Sequence, residues 1–193
     1  NLNVEQTASA ARLEAQARQA AGSGDLATAA DRFKAILELA PNDVSTLANL
    51  GLIQMQMSAM AEAETTMQRA LTIDPQHTYA LFLSGLLKIN QTDFDAALGY
   101  LAQAAKLDPN DAEVQNHLGV VLSELGQRDS GEAALRKAVQ LQPEYTDAHI
   151  NLAVVYASQD PPYKELARYH YQLALQAGHS KDPRLERLIE GAE

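Results

Sequence analysis

A chain of 193 residues, 46% hydrophobic and 21% charged, is long enough for one sizeable domain and too apolar to stay disordered. Its formal net charge of −10 and sequence pI near 4.9 make nucleic acid and anionic membrane poor partners. The absence of cysteine excludes disulfides, thiolate metal sites and thiol catalysis, and leaves the compartment open.

Alanine and leucine dominate while aromatics are only 5%, a balance that favours helix over sheet. No apolar run approaches the roughly 18 residues needed to cross a bilayer, so direct membrane insertion is not expected. The first residue is Asn1 rather than Met, which is expected of a processed or excised piece with further segments upstream.

In chain order, the amphipathic "VEQTASAARLEAQARQA" (4–20) opens the sequence, and "GSGD" (22–25) reads as a turn into a second helical stretch. "LAPND" (39–43) then introduces a stop signal that returns as "IDPQH" (73–77), "LDPND" (107–111) and "LQPEY" (141–145). The prolines Pro41, Pro75, Pro109 and Pro143 are each 34 residues apart. Proline lacks the amide hydrogen and keeps the preceding residue out of the α region, so each one closes a helix.

Frames of 34 residues starting at Ala10, Val44, Thr78, Ala112 and Thr146 bring other positions into register. Position 8 is always small: Ala17, Gly51, Gly85, Gly119, Ala153. Position 20 is Ala29, Ala63, Ala97 and Gly131, and position 27 is Ile36, Ala70, Ala104 and Ala138. Position 24 is large and apolar: Phe33, Met67, Leu101, Leu135. Small residues at fixed offsets let two helices approach, and the large one fills the space between them.

The fifth frame keeps this pattern, with Ala167, Tyr171 and Ala174, only after a two-residue insertion near 160–162. Asp160 is expected there as an N-cap, with Pro161 opening the helix. Gly178 stops that helix, and Asp182-Pro183 starts a last one that turns Leu185, Leu188 and Ile189 inward.

These frames resemble the tetratricopeptide repeat. The likeness rests on Leu50-Gly51 and Leu118-Gly119, and on "GDLATAADRFKAILELAPND" (24–43) and "TDFDAALGYLAQAAKLDPND" (92–111), and it covers about residues 10–179. It implies an all-α fold, a right-handed α-solenoid superhelix of antiparallel helix pairs forming a single domain. The expected repeats are 10–43, 44–77, 78–111, 112–145 and 146–181, with 182–193 as a capping helix. The first repeat is degenerate in its first helix, with Gln16 and Ala20 at positions 7 and 11. The stretch from Asp147 to Glu190 is similar to the ends of bacterial multi-repeat proteins of the cell envelope, which implies a periplasmic or envelope location and leaves a cytoplasmic one open.

The resemblance further implies a non-catalytic interaction scaffold without a cofactor, in which the first helices line a concave groove. That groove would bind a protein or peptide segment with a hydrophobic anchor and basic character. Its candidate residues are Asn49, Leu52 and Met55 in the second repeat, and Tyr79, Phe82, Leu83, Leu86, Ile89 and Asn90 in the third. Asn116, His117, Val120 and Glu124 follow in the fourth repeat, and Asn151 in the fifth. The plainer reading is that neighbouring repeats bury much of this face. Met67 and Met60 fit an interior role, and Met55 faces the groove.

Some relatives grip a carboxylate tail with Lys, Asn and Arg. Asn49 matches the asparagine, but Tyr79 and Leu83 stand where cations are required. The asparagine ladder of another relative is interrupted here, as Asn49, Leu83, His117, Asn151. Two further readings stay open: a homo-oligomer formed through the edge of the first repeat, and glycan or small-ligand binding in the groove. No histidine pair has metal-ligand spacing, no glycine-rich phosphate loop occurs, and acidic pairs such as Glu62/Glu64 fit a solvated helix face.

Overall fold

The computed structural model describes residues 3–191, which form eleven α-helices and, among the described residues, no strand. They are α1 (Val4–Gly22), α2 (Leu26–Leu39), α3 (Val44–Gln56), α4 (Met60–Ile73), α5 (Thr78–Asn90) and α6 (Phe94–Leu107). They continue with α7 (Ala112–Glu124), α8 (Arg128–Leu141), α9 (Thr146–Ala157), α10 (Lys164–Gln176) and α11 (Pro183–Glu190). Two compact units divide the chain, Asn1–Asp93 and Phe94–Glu193. No helix among the described residues is long and apolar enough to cross a membrane.

The recurring prolines lie just beyond α2, α4, α6 and α8, where they end each second helix. Polar side chains then start several of the following elements. Asp25 Oδ1 accepts from the Thr28 amide at 3.1 Å, and Asp111 Oδ1 accepts from Glu113 and Val114 at 2.9 and 3.1 Å. At α1, Asn3 and Gln6 exchange bonds of 2.8 and 3.0 Å in a reciprocal capping box. The first helix therefore begins at Val4, ahead of the Ala10 frame, and its Ala17 and Ala20 are buried against α2.

In the first unit consecutive helices pack as neighbours, and α3 also touches α5. Ala17, Ala29, Phe33, Ile36, Leu50 and Ile53 share one core cluster. In the second unit α7 packs on α8 and α9, and α9 packs on α10 and α11. The small and large positions read from the frames are interior throughout. Ala63, Ala97, Ala153, Leu101 and Leu135 are fully buried, and Met67 is nearly so.

Helices α7 and α8 cross glycine on glycine. A Cβ on Gly119 would lie 2.9 Å from the Gly131 carbonyl oxygen, and one on Gly131 would lie 2.8 Å from the Gly119 carbonyl oxygen. Those distances are to backbone, which cannot rotate away.

Two details of the last helices correct the sequence reading. Asp160 does not cap α10: the helix begins at Lys164 with Tyr163 in the cap position, and Asp160-Pro161 lies in the preceding connection. The insertion thus lengthens the turn and leaves Ala167, Tyr171 and Ala174 in their interior register. In α11, Leu185 and Ile189 are buried but Leu188 is exposed, because an eight-residue helix offers its neighbours only one narrow stripe.

α11 starts as expected at Asp182-Pro183 and is strapped to α10. The Tyr171 hydroxyl accepts from the Asp182 amide at 2.7 Å and donates to Glu186 Oε1 at 3.3 Å, while Lys164 Nζ donates to the Glu190 carbonyl at 2.8 Å. Tyr171→Phe removes the first two bonds and keeps the ring. It is expected to cost about 1 kcal/mol in chemical denaturation and to speed amide exchange in α11 before α9.

Candidate functional site

The candidate residues fall on two faces, one in each unit. In the first unit, α3 and α5 present Leu52, Met55, Leu86 and Ile89 half-buried and Tyr79 41% exposed. Asn49 is half-buried and Asn90 exposed at the helix end. Large side chains left partly in water on two touching helices form an apolar surface that their own packing has not consumed.

Two expected members of this face belong to the interior. Leu83 is 2% exposed and Phe82 is 6% exposed. Helix α5 also buries Ala80, Leu81, Ser84 and Leu87, so it is apolar nearly all round. In such a helix the 3.6-residue period cannot separate a ligand face from a packing face. The end of α5 is held by charge: Lys88 Nζ sits 2.6 Å from Glu64 Oε1, and Gln91 Nε2 donates to Glu64 Oε2 at 3.0 Å. Bonds from Lys88 and then Gln91 hold the Glu64 carboxyl below its ordinary range.

A serine–histidine contact occurs at the edge of this unit but is not arranged for nucleophilic chemistry. His77 Nδ1 accepts from the Ala80 amide at 3.2 Å, so in the neutral ring Nε2 carries the proton. Ser45 Oγ lies 3.4 Å from that protonated nitrogen, which is no base toward it.

On the second unit's face, α7 and α9 are bridged by a bond from Asn151 Nδ2 to Asn116 Oδ1 of 2.8 Å. Asn116 is only 2% exposed and also bonds the Tyr145 hydroxyl, so it joins the helices rather than offering its amide to a ligand. Asn151 remains half-buried, as do His117 and Val120, and Glu124 is exposed at the end of α7. Val154 adds a further exposed apolar side chain.

This face is acidic. Asp111 and Asp147 pull on His117, yet burial holds the imidazole below its ordinary value, so it is neutral at pH 7. Burial raises Glu113, and its neighbour Asp111 adds to the effect. The Tyr145 hydroxyl is pushed up to about 12, first by burial and then by Glu113 and Asp147. Tyr145 was missed by the sequence reading, although the frame carried a signal: Asp43, His77, Asp111 and Tyr145 occupy the same helix-entry position. A tyrosine cannot cap in place of aspartate, and its ring turns instead to Asn116.

A second cluster was also missed. His149 is only 4% exposed, and its partner is His170. Their Nδ1 atoms lie 2.9 Å apart, and His149 Nε2 is 2.9 Å from the Pro143 carbonyl oxygen. Tyr156 stacks on His170 with ring centres 5.7 Å apart, and its hydroxyl donates to Glu132 at 3.0 Å. Position 170 lies between the interior residues Ala167 and Ala174 at helical spacing, the signal from which the pair could have been read. Among the described residues no three His, Asp or Glu side chains converge on a metal position.

A family model described as tetratricopeptide repeat matches residues 20–85 and 89–139, and a second of the same description matches 121–182. The BBSome complex member bbs-4 of Caenorhabditis elegans is 26% identical over 133 residues, 69% of this chain and 29% of that protein. The chain therefore spans under a third of that relative. The solved structure of Pseudomonas aeruginosa pilF matches with a TM-score of 0.86 at 18% identity, over 95% of this chain and 82% of that one. YrrB, described as a TPR protein with an unusual peptide-binding site, gives 0.67 at 22% identity over 91% and 87% of the two chains. At these identities the structures establish the fold, an all-α solenoid of helix pairs.

Proposed function

The chain belongs to the tetratricopeptide repeat family, and from that premise we propose that it is a non-catalytic scaffold that binds a peptide or protein segment on the faces of its first helices. Five repeats and a capping helix act as one array in this reading. The observation that carries it is the partly exposed set Leu52, Met55, Tyr79, Leu86 and Ile89 on α3 and α5. Apolar surface of this kind suits a hydrophobic anchor. Asp111, Glu113 and Asp147 around His117 favour basic side chains in a segment bound on the second unit's own face. YrrB, which shares the fold, is itself described as having a peptide-binding site.

Self-association through the first repeat has less support. The outer side of α1 carries Thr7, Arg12, Gln16 and Gln19, and Val4 is the one large apolar side chain exposed on it. The glycan reading is weakened, since two of the asparagines on these faces, Asn116 and Asn151, bond each other.

Selection of ligands from a displayed peptide library, followed by titration of the recovered peptides, tests the proposal. Tyr79→Ser with Leu86→Ser is expected to weaken the selected peptides at least tenfold at a temperature where the variant is still fully folded, and affinity is expected to fall with added salt. Phe82 is left intact because it is buried. Equal affinity for the folded variant, or a mass that rises with concentration without peptide, would defeat the reading.

A further inference from the structure

We infer that His149 and His170 form a proton-operated latch on the last helix pair, closed by one shared hydrogen between the two rings and opened when both rings are protonated. The tautomers follow from the partners. A carbonyl oxygen only accepts, so His149 Nε2, 2.9 Å from Pro143 O, carries a hydrogen. In the neutral ring Nδ1 is then a bare acceptor, and His170 Nδ1 at 2.9 Å must be the donor. α9 is thereby tied to α10 through an N–H···N bond, and the other nitrogen of His149 anchors the connection at Pro143.

The ring geometry separates this arrangement from a metal chelate. With 2.9 Å between the nitrogens, ring centres 5.1 Å apart mean that the two rings meet nearly nitrogen to nitrogen, lone pair toward hydrogen. Two ligands on a tetrahedral divalent ion at about 2.0 Å would hold their nitrogens about 3.3 Å apart, wider than the 2.9 Å seen here.

Added protons work against the closed form in two ways. When His170 is also charged, a proton on His149 Nδ1 sets N–H against N–H inside the core, where the ring is 4% exposed. A proton on His170 Nε2 leaves the bond intact but places charge in a partly buried, ring-lined position. Burial first, then His149 and Arg136, hold His170 down to about 4. From α8, Arg136 opposes the charge, while the Glu132 carboxylate is taken by the Tyr156 hydroxyl at 3.0 Å and by Arg136 at 3.5 Å. Glu144 lines the same cavity as His149, and Tyr169 meets His170 edge-on.

In an opened form the His170 imidazole regains an ordinary pKa of about 6.5, so acid draws the equilibrium toward opening. α11 travels with α10, because Tyr171 and Lys164 bind it there. Opening exposes the apolar sides of Leu185 and Ile189 and the core around Tyr156 and Ala157.

Hydrogen exchange of the full chain at pH 7.5 and pH 5.0, corrected for intrinsic rates, tests the latch. Peptides from α10 and α11 are expected to exchange roughly tenfold faster at pH 5.0, with α3 and α4 unchanged. In His170→Asn the amide can donate to neutral His149 or accept from charged His149, so this acid response is expected to vanish. An equal acceleration in both units, or a full acid response in His170→Asn, would overturn the proposal. Should that variant not fold, the wild-type ring protons decide: His170 titrating near 6.5 with no local loosening also overturns it.

Discussion

Gly131→Val is expected to destabilise the second unit by about 4 kcal/mol, enough to melt it well before the first. The branched side chain would enter where a bare Cβ already lies 2.8 Å from the Gly119 carbonyl oxygen and 3.1 Å from the Ser123 amide nitrogen. Both are backbone atoms of α7, so α7 and α8 must separate, and Leu135, fully buried beside them, loses its contacts. The measurement is thermal unfolding by calorimetry with proteolysis to report which unit opens. Gly99→Ala is the control: nothing lies within 4 Å of a Cβ there, and replacing a mid-helix glycine in α6 is expected to stabilise by about 0.5–1 kcal/mol. A loss at Gly131 no larger than 1 kcal/mol would mean that the crossing is looser than the geometry implies.

Leu83→Ala is expected to cost about 3 kcal/mol in urea denaturation, because a side chain 2% exposed leaves a cavity that its neighbours fill only in part. Leu86→Ala, one turn on and half-buried, should cost under about 1.5 kcal/mol. Binding should reverse the order. Under conditions where both variants are folded, Leu83→Ala keeps the affinity of a selected peptide and Leu86→Ala loses part of it. Weakened binding by folded Leu83→Ala would return that residue to the interaction face.

This contrast shows where the sequence was informative. The 34-residue spacing of Pro41, Pro75, Pro109 and Pro143, with small residues at two offsets and a large one between them, wrote down the helix pairs and most of the core. Those features are local and repeated, so each frame corroborates the others. The interaction face was harder to read. Position numbers assigned Leu83 and Asn116 to it, yet α5 is apolar on almost every side and Asn116 spends its amide between Asn151 and Tyr145. Burial there is decided by neighbouring helices, which no single helix encodes. The His149–His170 pair was hidden for another reason: no other frame carries a histidine at either position, so repetition offers no second instance of it.

The glycine crossing also bears on how such a protein is redesigned. Averaging the frames would write alanine at position 131, since Ala29, Ala63 and Ala97 hold the equivalent site. Consensus replacement is usually a stabilising recipe, but it treats each column as independent. Here Gly131 answers Gly119 across the crossing, whereas in the second frame Ala63 and Gly51 hold those positions and the nearest atoms to a Cβ on Gly51 are those of the flexible Met67 side chain. The heritable unit of this fold is therefore the matched helix pair: a pair can be transplanted whole, and its columns cannot be averaged one at a time.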